Sequence, residues 1–239
     1  MEFIEDLNKQ IGNTQIYNKF FEIFDIESIN DFYVFLRDNS YKYGFFSKND
    51  NEKIASRHIL ESIIYIYYIK NYSSVSRETS LIDIGSGPGI PGFIFYCLKE
   101  RPSLTLLDSS QRRLKIIENY TKEKKINDIK FIYKRIEEFN EKHDFATIRA
   151  LIPFPFNAKI SHHIFKKQLF LFSGKIIIKE KILNYLNSCN LKIDERIPIE
   201  ELNFLGNRNL IIISHIDGSK KINPVNWKTV QKEMKTWEV

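Results

Sequence analysis

One stretch constrains the fold more than any other: Leu81-Ile82-Asp83-Ile84-Gly85-Ser86-Gly87-Pro88-Gly89-Ile90-Pro91-Gly92. Its first residues fit a buried strand, its glycines a sharp turn, and the apolar run from Phe93 to Leu98 a helix. Glycine allows turns that a Cβ forbids and lets a ligand approach the main chain closely. A helix starting there would aim unpaired N–H groups and its positive dipole end into the same crevice. The stretch predicts a nucleotide-like ligand at the end of a first strand.

From residue 80 onward, strand and helix signals alternate. Strands are expected at 81–84, 104–107, 129–133, 145–148 and 175–178, and helices at 91–100, 112–124 and around 157–170. Two further strands, 191–199 and 210–216, have no long helix between them. This rhythm predicts an α/β, Rossmann-like domain over residues 80–216. Its seven-stranded, mostly parallel sheet would carry helices on both faces and end in a hairpin-like pair.

Residues 1–79 read as a helical lead-in, with Phe20, Phe21, Phe24 and then Phe32, Phe35, Leu36 at helical spacing. Ser56 is placed to cap a helix from Arg57 to about Tyr72, whose Tyr65–Tyr68 aromatics read as packing. Residues 217–239 form a C-terminal extension. Asn223-Pro224 would start a last helix there, with Val230, Met234 and Trp237 as its apolar stripe against the body.

Composition narrows the class. The longest apolar run, 63–69, is far too short to span a membrane. The acidic opening Met1-Glu2-Phe3-Ile4-Glu5-Asp6 does not have the pattern of a secretory leader. Cys97 and Cys189 are too few and too far apart for a disulfide framework or a zinc site, so no metal is expected. A cytoplasmic location and a monomer are the expectations. The net charge of +6 is uneven: residues 1–79 are slightly acidic, and the basic excess lies in the glycine-turn region and beyond. Such a bias suits a polyanionic partner, although a Lys-, Asn- and Ile-rich composition produces much of it unaided.

In sheets of this kind ligands sit at the carboxyl ends of the strands, where the winding reverses. That rule selects the Gly85–Gly89 turn, Asp108, Ile136-Glu137, Arg149 and Lys179. Asp108 can accept from ribose hydroxyls, Ile136 can face an adenine ring, and Glu137 can accept from its amino group. Two ligands compete. Gly87-x-Gly89-x-x-Gly92 matches the dinucleotide fingerprint, which would make the chain an NAD(P)-dependent oxidoreductase. Pro88 and Pro91, however, remove backbone donors that a pyrophosphate needs. Asp83-x-Gly85-x-Gly87-x-Gly89 instead has the form common among S-adenosylmethionine-binding domains, whose cofactor carries no phosphate.

Gly85-Ser86-Gly87-Pro88-Gly89-Ile90-Pro91-Gly92 resembles the glycine loop of the RsmG (GidB) family of 16S ribosomal RNA guanine-N7 methyltransferases. Further segments agree in order. Arg57-His58-Ile59-Leu60-Glu61-Ser62 is similar to that family's R-H-L-L-D-S, and Thr105-Leu106-Leu107-Asp108-Ser109 to its T-L-L-D-S. Arg135-Ile136-Glu137-Glu138-Phe139 resembles R-V-E-E-F, Arg149-Ala150 part of S-R-A, and Arg208-Asn209-Leu210 the R-x-L of the last strand. Ile148 stands in place of the serine of S-R-A, and Glu180-Lys181 follows Lys179 where a glycine is usual.

The resemblance implies S-adenosylmethionine as cofactor and methyl transfer to N7 of a guanine (conventional position 527) in 16S ribosomal RNA or the small ribosomal subunit. It makes Gly85, Ile90, Ile136, Glu137 and Arg149 cofactor positions, beside Asp83, Gly87, Gly89 and Asp108 from the turn and strand ends. Lys179 and Arg208 become candidate RNA contacts; Arg149, Lys179 and His58 become candidates for positioning the acceptor. N7 of neutral guanine has a free lone pair, so no general base is sought and no catalytic dyad is assigned. The residues after the fourth strand, Arg149-Ala150-Leu151-Ile152, lack the D/N-P-P-Y/F clamp of exocyclic-amine methyltransferases. Neither cysteine is placed as a nucleophile for cytosine C5 chemistry. A non-catalytic S-adenosylmethionine-binding, RNA-associated protein is the reading from another class, separable by single-turnover methyl transfer.

Overall fold

The computed structural model describes residues 1–237; the last two residues of the expected C-terminal extension lie outside these. Seven strands form one sheet: β1 (Ser80–Ile84), β2 (Ser103–Leu107), β3 (Ile129–Ile132), β4 (His143–Arg149), β5 (Phe165–Ser173), β6 (Leu191–Pro198) and β7 (Asn209–His215). Their spatial order is β3-β2-β1-β4-β5-β7-β6. β1 to β5 pair in parallel, and β7 runs antiparallel between β5 and β6. The short 3₁₀ segment Glu200–Leu205 joining β6 to β7 leaves no room for a crossover, so that pair must be antiparallel. The winding reverses between β1 and β4, which opens a crevice at their carboxyl ends.

The N-terminal helices are α1 (Glu2–Ile11), α2 (Asn18–Phe21), α3 (Ile26–Tyr43), α4 (Lys48–Asn51) and α5 (Glu61–Tyr72). They share one core with a face of the sheet. Phe32 of α3 stacks on Phe93 with ring centres 4.2 Å apart, and Phe35 lies 4.3 Å from Tyr120. Asp25 caps α3, its carboxylate accepting from the N–H groups of Glu27 and Ser28. The expected cap at Ser56 is not formed. A π-helical turn, Ile54–Leu60, runs directly into α5, and Ser56 lies inside it with its N–H donating to Gln10 Oε1 at 2.9 Å. Ile54, Ala55, Ile59 and Leu60 are all buried there, so packing sets this start and overrides the local capping signal.

The remaining helices are α6 (Gly92–Tyr96), α7 (Gln111–Glu123), α8 (Phe156–Ser161), α9 (Glu180–Ser188) and α10 (Trp227–Lys235). α6 and α7 join the first core, while α8, α9 and α10 pack on the opposite face. Strand alternation divides the two: Leu81 faces the first core and Ile82 the second.

Four expectations are corrected. The helix expected at 91–100 has only five residues. The expected helix around 157–170 stops at Ser161, and the fifth strand is Phe165–Ser173, leaving 175–178 outside the sheet. Leu169, Phe170 and Leu171 are buried between β4 and β7, so sheet pairing outweighs their helix-like spacing, whereas Ile177 is exposed. The last helix begins at Trp227 under an Asn226 cap, three residues later than Asn223 would place that cap. Its Val230 is fully buried, and Met234 and Trp237 pack on the second core, as the stripe predicted.

Candidate active site

The ends of β1, β2 and β3 are locked in step. The N–H groups of Gly85 and Ser86 both donate to the Leu107 carbonyl, at 2.8 and 3.1 Å, and Asp108 N–H donates to the Ile132 carbonyl at 3.2 Å. This brings Gly85, Asp108, Ile136 and Glu137 together around a cleft of about 210 Å³, with Leu151 and Trp227 on its rim. Gly85 has φ +74°, and a Cβ there would meet Leu151 Cδ1 at 2.8 Å. A side chain at 85 would be strained and would fill the cleft floor.

Asp108 holds the turn as well as facing the cleft. Its two carboxylate oxygens accept from Gly87 N–H and Ser110 N–H, each at 2.7 Å. A carboxylate has about four acceptor positions, so capacity for a pair of ribose hydroxyls remains. Glu137 bonds Arg135 Nε through one oxygen at 2.7 Å, leaving the other for an amino group. Ile136 is buried and apolar. The set fits a nucleoside: an apolar face for a base, with carboxylates for its amino group and for a sugar.

The other turn residues stand behind the cleft. Asp83 is fully buried and accepts from Gly92 N–H at 2.9 Å, with its second oxygen unpartnered. Burial pushes its pKa up to about 7. A Cβ on Gly92 would lie 2.3 Å from Leu106 and 2.7 Å from Asp83, so this glycine permits close packing of helix on strand. Gly89 faces Ile117 and Phe32, and Ile90 is buried in the first core. The N–H groups of Gly87, Gly89, Ile90 and Gly92 are all taken by protein acceptors. The expected fan of free donors is therefore absent, which removes the pyrophosphate reading of Gly87-x-Gly89-x-x-Gly92. Asp83, Gly87, Gly89 and Ile90 shape the turn without lining the cleft.

Arg149 ends β4 but turns away from this cleft. Its guanidinium donates to Glu61 Oε2 at 2.8 Å, His58 Nδ1 at 2.7 Å and the Arg57 carbonyl at 3.1 Å. Arg208 Nε donates to the other oxygen of Glu61. Two arginines thus share one buried carboxylate in a neighbouring cleft of about 270 Å³, also lined by Arg57, Tyr65, Phe172 and Gly174. Tyr65 stacks on Phe172 at 4.2 Å and places its hydroxyl 3.0 Å from the Ser173 carbonyl, fixing α5 to the ends of β5 and β7. His58 stacks on Phe46 at 4.0 Å. Burial, with Arg149 and Arg57 adding to it, drives its pKa down to about 2, which suits its role as acceptor from Arg149. His58 is a support for Arg149.

Lys179 lies outside both clefts. It precedes α9 and lines an apolar groove with Lys175, Phe154, Met234 and Trp237. Its displacement follows from β5 ending at Ser173. A larger cavity of about 740 Å³ opens between α3, α6 and α7, away from every strand's carboxyl end. Two of its charges, Lys124 and Asp31, pair with each other at 2.5 Å. Among the described residues no cluster of three or more His, Cys, Asp or Glu is placed to hold a metal. Glu61 and Trp227 were not expected at the site. Glu61 lies four residues after Arg57, within one helical turn, and that spacing was the available signal. Trp227 had none.

The profile of one family, GidB, described as rRNA small subunit methyltransferase G, matches residues 25–193. The ribosomal RNA small subunit methyltransferase G of Leptospira biflexa is 38% identical over 220 residues, covering 89% of this chain and 89% of that protein. Its namesake in Leptospira interrogans is 35% identical over 218 residues, covering 89% and 85%. The chain belongs to this family. The fold agrees with a solved magnesium protoporphyrin IX methyltransferase from Synechocystis, with a TM-score of 0.53 at 12% identity over 76% of this chain and 96% of that one. No helix among the described residues is long and apolar enough to cross a membrane.

Proposed function

We propose that this chain transfers a methyl group from S-adenosylmethionine to N7 of a guanine in 16S ribosomal RNA. The observation that carries the proposal is the pair of adjoining clefts at the carboxyl edge of the sheet. One is built for a nucleoside; the other is rich in arginine. Gly85, Asp108, Ile136 and Glu137 hold the cofactor's nucleoside half. A cleft of about 210 Å³ is smaller than a typical small-molecule site of ~300–1,000 Å³, so the rest of the cofactor extends along the open turn toward β4.

The cofactor supplies a methyl group on a positively charged sulfur. When the N7 lone pair forms its bond to that carbon, the carbon–sulfur bond breaks and the positive charge passes to the guanine ring. No proton moves, so the protein's task is positioning and electrostatic matching. Arg57 is paired with Asp50 at 3.0 Å, whereas Arg149 and Arg208 share the single charge of Glu61, which leaves the second cleft one positive charge in excess, suited to the acceptor's phosphate. Glu61 holds Arg149 and Arg208 at a fixed separation. Lys179, in its separate groove, is left to a peripheral phosphate contact.

The test is methyl mapping. Small-subunit RNA and partly assembled particles are incubated with the chain and labelled S-adenosylmethionine, then cleaved at N7-methylguanine and read by primer extension. One cleavage site at a guanine, dependent on the cofactor, is expected. Label at another atom, or none on any form of the RNA, refutes the assignment.

A further inference from the structure

We propose that Trp227, carried by α10, forms the outer wall of the nucleoside end of the cofactor cleft and stacks on the adenine ring of S-adenosylmethionine. This rests on the cofactor reading given above and adds a residue to it. The family match ends at residue 193, so α10 lies outside it.

Trp227 lines the same cleft as Gly85, Asp108, Ile136 and Glu137 although it lies 90 positions beyond Glu137 in the chain. It is only partly buried and packs against the second core, so its ring borders the cleft instead of filling the interior. Ile136 supplies an apolar surface in that cleft, and among the described residues Trp227 is its one aromatic lining residue. An indole face is a broad, polarisable platform for a purine. The cleft already has carboxylates for the sugar and the amino group; the ring contact is what Trp227 adds.

One residue covers the indole, and the rest of α10 fixes the helix that carries it. Arg135 extends its guanidinium over the Trp227 ring, 5.9 Å from the centre, and is itself fixed by Glu137 at 2.7 Å. At the other end of α10, Glu233 accepts from Lys159 at 2.6 Å and from the Tyr185 hydroxyl. Trp237 packs edge-on against Phe156 and Tyr185, at 5.1 and 5.0 Å between ring centres. With Val230 fully buried, α10 is anchored along its length and delivers Trp227 at its first turn. Such a platform meets the base without having to be ordered by it, which lowers the entropic cost of binding.

The chain has two tryptophans, so Trp237→Phe leaves Trp227 as the sole indole reporter. That variant is titrated with S-adenosylhomocysteine, following tryptophan emission and, separately, heat. A saturable emission change whose midpoint equals the calorimetric Kd is expected. In the otherwise unaltered chain, Trp227→Ala should weaken calorimetric binding about 10- to 100-fold, the range for losing one base–aromatic stack. Trp227→Phe should restore most of that loss, which a general folding defect would not allow. Equal Kd values for the unaltered chain and Trp227→Ala would overturn the Trp227 assignment and leave the cofactor reading standing. No heat and no emission change with the unaltered chain would overturn both.

Discussion

The two clefts at the carboxyl edge of the sheet are neighbours built on opposite plans. In the cleft proposed for the cofactor, Asp108 is held by the backbone N–H groups of Gly87 and Ser110. In the arginine cleft, Glu61 is held by the side chains of Arg149 and Arg208, which reach it from sequence distances of 88 and 147 residues. The first site is thus a property of strand ends in register, and its geometry persists as long as the sheet does. The second is a property of where α5 docks, and it disperses if that helix shifts. A half-buried carboxylate satisfied by backbone donors keeps spare acceptor capacity for a ligand. A carboxylate satisfied by arginines spends that capacity to aim their guanidinium groups.

The sharpest way to break this contrast is Glu61→Ala. It leaves Arg149 and Arg208 facing each other without their shared counter-charge, and removing one partner of a buried pair costs about 3 kcal/mol or more. Denaturant titration should show that loss, and methyl transfer to small-subunit RNA should fall more than ~10-fold. Cofactor affinity by calorimetry should change by less than ~3-fold, because the backbone-held cleft does not depend on α5. An equal loss in both clefts would show that they are one unit.

Asp108→Asn probes the other side with a smaller effect. Hydrogen bonds to a charged acceptor contribute about 1.5–3 kcal/mol, so cofactor affinity should drop roughly 10-fold. Stability should change by about 1 kcal/mol or less, since the amide oxygen still accepts from one N–H. The RNA affinity of the cofactor-free chain should stay within ~2-fold if the arginine cleft is independent.

The smallest effects separate the clefts by the sign of their pH dependence. Asp83 supports the glycine turn with a pKa raised to about 7, so its contribution to stability is full at acid pH and is lost as pH rises through 7. His58 supports Arg149 with a pKa lowered to about 2, so its contribution is full above the unfolded value near 6.5 and is lost as pH falls below it. The stability penalty of Asp83→Asn should therefore shrink between pH 5 and pH 8, whereas that of His58→Gln should shrink in the opposite direction. Urea titrations of both variants against the parent at those two pH values decide it; matching slopes would contradict the assigned environments.

Much of the cofactor cleft could be read from the chain because its parts are local. Gly85 and Asp108 follow directly on a strand and Ile136-Glu137 within a few residues of one, and a parallel sheet must bring such positions together. Asp83, Gly87, Gly89 and Ile90 belong to the same turn but do not line that cleft, since a motif marks which residues make a turn but not which side of it they face. Strand-end placement fails for Lys179 because the apolar run at 175–178 resembles a strand, while the partners that decide strand formation, β4 and β7, chose Phe165–Ser173.

What the sequence determined by itself was the alternation of strands and helices, the glycine turn, and the acids that follow the strands. Periodicity and turn chemistry are properties of neighbouring residues. What only the tertiary structure decided was the company each of them keeps: Arg149 with Glu61 and Arg208, and Trp227 at the rim of a cleft whose other residues precede it by many tens of positions. Those contacts depend on how a lead-in helix and a C-terminal helix dock on the sheet. Docking is set by the summed burial of many side chains, which no short stretch of sequence encodes.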